Sequence, residues 1–373
     1  MQKRKKYGIE RLVGQNIDEM IWLRLNRLKS VGLCRKILKK RNEKLRAPLD
    51  NEIIEKKAIG MSSAIESAIG YLDGQTTNLN SRILSRYYEL LQMTIAEQVS
   101  AVDNDKDLEK IQKYTELGHG ISTIQDPNGE FPNNYYIYIL NSGYFYSYAK
   151  HLGYRRAIRD IAFQQKIKKF EDLDDEDKAK LIPLTSLFRR ISELRPIVYE
   201  YLDQNPLTFH IVHSPLNEPQ VVAENKVTKL GLFPENGKIS DYAHDSFNWP
   251  FEIIEITEKQ FKVEFTHPNE GYWHEYLNIY KSDYCGSSYI IPLLGKIEDP
   301  ILINLLLMYS LSIIVRYQPN LWYRISQGDL NHIGSLIDYY ISIFDHIIPL
   351  NMLERITQKR IEIFSPGSLY API

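Results

Sequence analysis

The sequence predicts an α+β fold, a mainly helical core with an antiparallel β-rich insertion in the second half of the chain. Three observations predict it. Apolar residues recur at helical spacing from about residue 18 to 202 and again from 300 to 347. Between about 205 and 295 that period gives way to short β-branched or aromatic runs punctuated by Pro, Gly and Asn. Composition is near the globular average, 43% hydrophobic and 25% charged, so a packed core is expected. The expected division is a pair of basic N-terminal helices over 1–50 packing on the core, a helical core from 51–204 and 296–373, and the β-rich insertion over 205–295.

Each element has its own signal. Ile21, Trp22, Leu25 and Leu28 define a first helix over 18–30, with Gly32 as its break. A second helix, 33–46, sets Leu33, Ile37, Leu38 and Leu45 against Arg35, Lys36, Lys39, Lys40 and Lys44, a basic amphipathic pattern. After Pro48, Ile54, Ala58, Met61, Ile65, Ala68 and Leu72 predict a long helix whose small residues admit a close neighbour. Asn80 and Ser81 read as the cap of a partner helix carrying Ile83, Tyr87, Leu90, Leu91, Ile95 and Val99. The short connection 74–78 makes these two antiparallel. Strands are expected at 121–124 and 135–140, around an Asp-Pro-Asn-Gly turn. Helices follow at 154–168 and 184–202, the latter notched by Pro196. In the insertion, Phe261, Val263 and Phe265 alternate with Lys262, Glu264 and Thr266, as in a half-exposed antiparallel strand. Helices then return at 300–317 and 330–347.

Charge and cysteine usage narrow the setting. Net charge is −1, yet residues 1–50 hold fifteen Lys/Arg against five Asp/Glu, so the remainder sums to −11. Such asymmetry points to an anionic partner or to the acidic rest of the same chain. Cys34 and Cys285 stand far apart and outside any C-x-x-C pair, which argues against a disulfide framework or zinc finger and favours the cytoplasm. The apolar run 301–315 covers about 22 Å as a helix, short of a roughly 30 Å bilayer core, and reads as a buried helix rather than a membrane span. No phosphate loop, nucleophile elbow or metal motif is present, so no cofactor and no metal are expected.

Ile313-Ile-Val-Arg-Tyr-Gln-Pro-Asn-Leu-Trp322, behind an apolar helix, resembles the R-Y-x-P-x-x-W signature of YaaC-like proteins. Trp22 to Ser30, Ser85-Arg-Tyr-Tyr-Glu-Leu-Leu, His119-Gly120, Leu187 to Arg195 and Tyr289-Ile-Ile-Pro292 resemble further stretches of that family. The resemblance implies an architecture without an established chemistry. It also implies kinship with the HEPN helical group, some of which are ribonucleases and some binding modules.

The candidate site residues follow from these patterns. HEPN ribonucleases set an Arg a few residues ahead of a His; the nearest case here, Arg324 and His332, has seven residues between, and His119 is the other candidate. Arg316, Tyr317, Trp322 and Arg324 cluster at a helix end, where Arg could grip a phosphate and Trp322 stack on a base. The plainer account is that cations belong at a helix C-terminus and Pro319 stops the helix. Tyr144 to Tyr148 with Lys150, His151, Arg155, Arg156 and Arg159 interleave aromatics and bases as nucleic-acid surfaces do, with ordinary packing again the plainer account. Arg189, Arg190 and Arg195 are expected to pair with the acidic run 171–177 or with Glu193. Three functions stay open. The first is a non-catalytic interaction or nucleic-acid-associated module using Arg35, Lys36, Lys39 and Lys40. The second is a HEPN-like ribonuclease in a toxin or phage-defence system. The third is a protein-only scaffold or homo-oligomer.

Overall fold

The computed structural model describes residues 7–73, 78–213, 219–222, 224–235, 249–282 and 284–364. The basic run Lys3 to Lys6, the connection from Gly74 to Thr77 and part of the expected insertion, including 236–248, lie outside them. The fold is α+β, helical in its first half and its C-terminal part, with an antiparallel sheet between.

Helices α1 (Ile17–Arg27) and α2 (Val31–Asn42) are each started by a capping side chain, Asn16 to the amide of Glu19 and Ser30 to that of Leu33, both at 3.3 Å. Ser30 therefore makes the break expected at Gly32, which lies inside α2. Helices α3 (Asn51–Asp73) and α4 (Leu79–Ser100) form the antiparallel pair. The cap of α4 is Asn78, whose side chain accepts from the amide of Asn80 at 2.8 Å; Asn80 itself has another task, described below. Ala58, Gly60, Ser62, Ala64 and Ala68 of α3 are buried, and the neighbours they admit are α2, α4 and α5 (Leu108–Glu116) of the same chain.

A three-stranded sheet follows, β2 (Ile121–Gln125), β3 (Tyr135–Ile139) and β4 (Ile182–Pro183), with α6 (Tyr144–His151), α7 (Arg155–Ile161) and α8 (Asp175–Lys178) between its last two strands. The helix expected over 154–168 stops at Ile161. There Phe163 donates its amide to Ile139 O at 2.8 Å, and the amide of Ile167 donates to the Tyr138 hydroxyl at 3.0 Å, so strand β3 captures that backbone.

The helix expected over 184–202 is likewise two pieces, α9 (Leu184–Phe188) and α10 (Val198–Leu202), around a 3-10 turn. Tertiary hydrogen bonds account for the break. Arg189 O accepts from the amide of Leu207 at 2.7 Å, and its guanidinium donates to Asn205 O. The guanidinium of Arg190 donates to Ser186 O, Ile291 O and Pro292 O. Among the described residues, none of these arginines forms an ion pair with the acidic run 171–177. Glu176 and Asp177 of that run pair with Lys180, Arg195 pairs with Glu235 at 3.1 Å, and Glu193 accepts from the Tyr280 hydroxyl. Burial pulls the Arg190 pKa down to about 9, yet the guanidinium ties the exit of the large sheet to α9. Arg190→Met removes this donor from the carbonyls of Ile291 and Pro292, and a loss of about 1–3 kcal/mol in urea-unfolding stability is expected.

The large sheet holds, among the described residues, seven strands: β5 (Thr208–His213), β6 (Gln220–Val222), β7 (Asn225–Phe233), β8 (Glu252–Ile256), β9 (Phe261–Pro268), β10 (Tyr280–Ser282) and β11 (Gly286–Ile290). Their order is β10-β11-β5-β7-β9-β8, all antiparallel, with β6 also on β7. Phe261, Val263 and Phe265 of β9 turn inward against Leu230, Leu232, Phe209 and Ile211, forming a core of their own. Sequence reasoning missed β7, whose lysines and Gly231 hide the buried alternation of Thr228, Leu230 and Leu232.

Helix α11 (Pro300–Tyr317) is long and apolar enough by composition to cross a membrane, and here it packs mostly inside the helical core. Pro319 does not merely stop it but opens α12 (Pro319–Gln327), where its missing N–H is harmless. Helix α13 (Asn331–Thr357) continues well past Ile347, through a buried Pro349. It leads into β12 (Lys359–Phe364), which pairs in parallel with β1 (Gly8–Val13), two strands that the sequence did not announce. Helix α4 packs against both α11 and α13. Arg82 and Arg86 meet Asp345 of α13, and Arg355 of α13 joins Glu97 of α4 to Asp299, the cap of α11.

Candidate functional site

The loop after α5 runs Gly118-His119-Gly120, and its backbone is held on both sides. Tyr144 and Phe145, at the start of α6, donate their amides to Gly118 O and His119 O at 2.9 Å each, and Leu140 donates to Gly120 O at 3.0 Å. Gly120 and Gly143 both have positive φ, 75° and 87°. A Cβ on Gly143 would lie 2.6 Å from Gly120 N, so two glycines are needed for the strand-to-helix corner to approach the loop.

This corner presents the imidazole of His119 to a row of tyrosines. His119 Nδ1 lies 2.6 Å from the Tyr87 hydroxyl, and its ring sits 5.6 Å from Tyr87 and 5.4 Å from Tyr309. Tyr87 is buried, and burial holds its pKa well above 10, so it keeps its proton. His119 is the one acceptor for that proton among the described contacts, so Tyr87 donates and the neutral imidazole carries its own hydrogen on Nε2. Burial, then Arg316 and Lys166, lower the His119 pKa below its ordinary 6.5.

Arg316 closes the other side. Its Nε and Nη2 donate to Ser312 O and Ser312 Oγ at 3.0 and 3.1 Å, and Nη1 reaches the Tyr88 hydroxyl at 3.4 Å. The guanidinium lies over Tyr317, 5.1 Å from the ring centre, and Tyr88 stacks on Tyr71 at 5.4 Å. Among the described residues no carboxylate stands within ion-pairing distance of Arg316. A half-buried cation without a counter-charge is costly unless something anionic joins it. Arg316 and His119 lie near enough to interact electrostatically, each against one of the adjacent tyrosines Tyr88 and Tyr87, and together they offer donors and positive charge suited to an oxyanion.

The match to known proteins accords with the signature around Arg316. The sequence model of the YaaC-like protein family matches residues 26–356. The chain belongs to the YaaC-like family. No curated protein and no solved structure matches the chain. Both Arg316 and His119 lie inside the matched region of this YaaC-like chain, as do α3, α4 and the whole large sheet.

The remaining candidates lie elsewhere. Trp322 is 7% exposed and donates its indole N–H to Asn80 at 2.6 Å, so it pins α12 to α4 and has no face open to a base. Tyr317, by contrast, is 67% exposed beside Arg316. Arg324 is held by Asp329 at 2.6 Å at the exposed corner between α12 and α13, where His332 also bears on Asp329; these form a surface ion pair and not a recess. Arg35 pairs with Glu55, whereas Lys36, Lys39 and Lys40 are exposed on α2. Arg41, in the same helix, is turned inward to Ser100 O and Ile356 O. Sequence reasoning missed Tyr87, Tyr88 and Tyr309. A signal was present, since Tyr309, Ser312 and Arg316 share one stripe of an otherwise apolar α11.

Proposed function

We propose that this YaaC-like protein is a non-catalytic, nucleic-acid-associated module that grips a backbone phosphate between Arg316 and His119. The exposed ring of Tyr317 stands ready for a base, and Lys36, Lys39 and Lys40 form an additional basic face. The observation that carries the reading is Arg316, a half-buried guanidinium lacking a carboxylate partner among the described residues and close enough to His119 to act on it electrostatically. Fluorescence anisotropy with a single-stranded RNA at about 50 mM salt tests it, with affinity falling steeply as salt rises. Arg316→Met is expected to weaken binding about tenfold or more, the loss of one charge-assisted contact. Binding also strengthens as pH falls, because a bound phosphate favours the imidazolium that burial, Arg316 and Lys166 disfavour in the free protein. Undetectable binding, or full affinity in Arg316→Met, overturns the assignment.

The meeting of a histidine with an arginine also favours a second reading, RNA cleavage with His119 as the acid–base group. The Tyr87 hydrogen bond weighs against it, since it leaves Nε2 protonated and without a lone pair to accept the 2′-hydroxyl proton. Cleavage of RNA that disappears in His119→Ala would establish the ribonuclease; intact RNA after long incubation leaves the binding module.

A further inference from the structure

Away from His119, the end of α6 and the start of α7 border a cavity of about 360 Å³ lined by Tyr146, Lys150, Arg155, Arg156 and Arg159. We propose that this pocket binds a small ligand carrying two or three adjacent phosphate groups. Four of its five lining residues are cations, and their charges are poorly balanced. Lys150, Arg155 and Arg156 have no carboxylate within ion-pairing distance among the described residues. Arg159 has Asp160 at 3.6 Å, but the closer partner of that carboxylate is Lys296, at 2.9 Å.

Local structure worsens the imbalance. Arg155 and Arg156 occupy the first turn of α7, the end at which the helix dipole is positive and cations are disfavoured, and no acidic residue accompanies them there. Lys150 is turned over the ring of Tyr146, 5.2 Å from its centre, which draws a fourth charge toward the same space. A bound polyanion offsets this repulsion, and arginine forks suit phosphate oxygens in pairs. Size chooses the ligand class. At about 360 Å³ the cavity lies at the small end of the range for small-molecule sites. That accommodates a di- or triphosphate group with little besides, not several nucleotides of a strand.

Calorimetric titration of the full chain with inorganic triphosphate at about 50 mM salt is the test. Saturable binding is expected, weakened about tenfold or more in Arg155→Ser/Arg156→Ser and unchanged in Arg316→Met. Arg155 and Arg156 are exposed and can be replaced without touching the core, and thermal melting verifies that these variants and Arg316→Met are folded. ATP distinguishes the two sources of the phosphate groups: equal affinity for ATP and triphosphate identifies a free polyphosphate, and tighter ATP binding identifies a nucleotide. Three results overturn the proposal: no saturable binding below about 1 mM, wild-type affinity in the double variant, or adenosine binding as tightly as ATP. Loss of triphosphate binding in Arg316→Met would overturn it too, by moving the phosphate to the other site. Because Arg316→Met is expected to lose RNA and retain triphosphate, either proposal can fail without the other.

Discussion

Arg355→Met is expected to be the most destabilising single charge removal in this protein, at about 3–5 kcal/mol. Arg355 donates to Glu97 at 2.9 Å and to both oxygens of Asp299 at 3.1 Å, and all three side chains are largely shielded from water. Tyr148 donates its hydroxyl to the other oxygen of Glu97. Removing the cation leaves two buried carboxylates facing one another, and one of them caps α11 by accepting from the amides of Ile301 and Leu302. The damage therefore reaches the contacts among α4, α11 and α13. Urea unfolding measures it. Adding Glu97→Gln to Arg355→Met is expected to recover part of the loss, because it removes one stranded charge. A loss below about 1 kcal/mol, the value of a surface ion pair, would show that the network is solvated rather than structural.

Gly143→Ala has the second large effect, and it connects stability to the candidate site. Gly143 has φ 87° and ψ −175°, a region open essentially to glycine alone. An added Cβ would also lie 2.6 Å from Gly120 N and 2.7 Å from Gly118 O, backbone atoms that cannot turn aside. Strain of about 1–3 kcal/mol plus the overlap leads to an expected total of about 3 kcal/mol or more. Relief requires the loop bearing His119 to move, so RNA affinity is expected to fall along with the melting temperature. Gly153→Ala is the control. It has φ 95° but nothing within 4 Å of an added Cβ, and about 1 kcal/mol with unchanged RNA affinity is expected there. Equal losses in the two variants would mean that the backbone conformation matters and the close approach does not.

The candidate site was partly legible in the residues. Arg316, Tyr317 and His119 stood out, but nothing in their spacing brought the histidine to the arginine. That meeting depends on α11 lying across α4, which places Tyr88 under Arg316 and Tyr87 under His119. Trp322 was a candidate stacking group because it clusters with Arg316, Tyr317 and Arg324 at a helix end; α12, which Pro319 begins, turns the indole inward to Asn80. The basic excess of residues 1–50 was equally ambiguous. Net charge counts Arg35, Arg41 and Lys39 alike, yet one pairs with Glu55, one is buried against carbonyls and one faces solvent.

From the sequence alone, the α+β class, the long helices α3, α4 and α11, the strand β9 and the interruption of helix by sheet were determined, because each is written in a local period of apolar residues. The parallel pairing of β1 with β12, the division of residues 184–202 and the partners of Arg190, Arg316 and Arg355 were decided only in the tertiary structure. A period specifies which face of an element avoids water. It does not specify which distant element covers that face, and the hydrogen bonds made there are strong enough to break a short helix or leave an arginine without its acid.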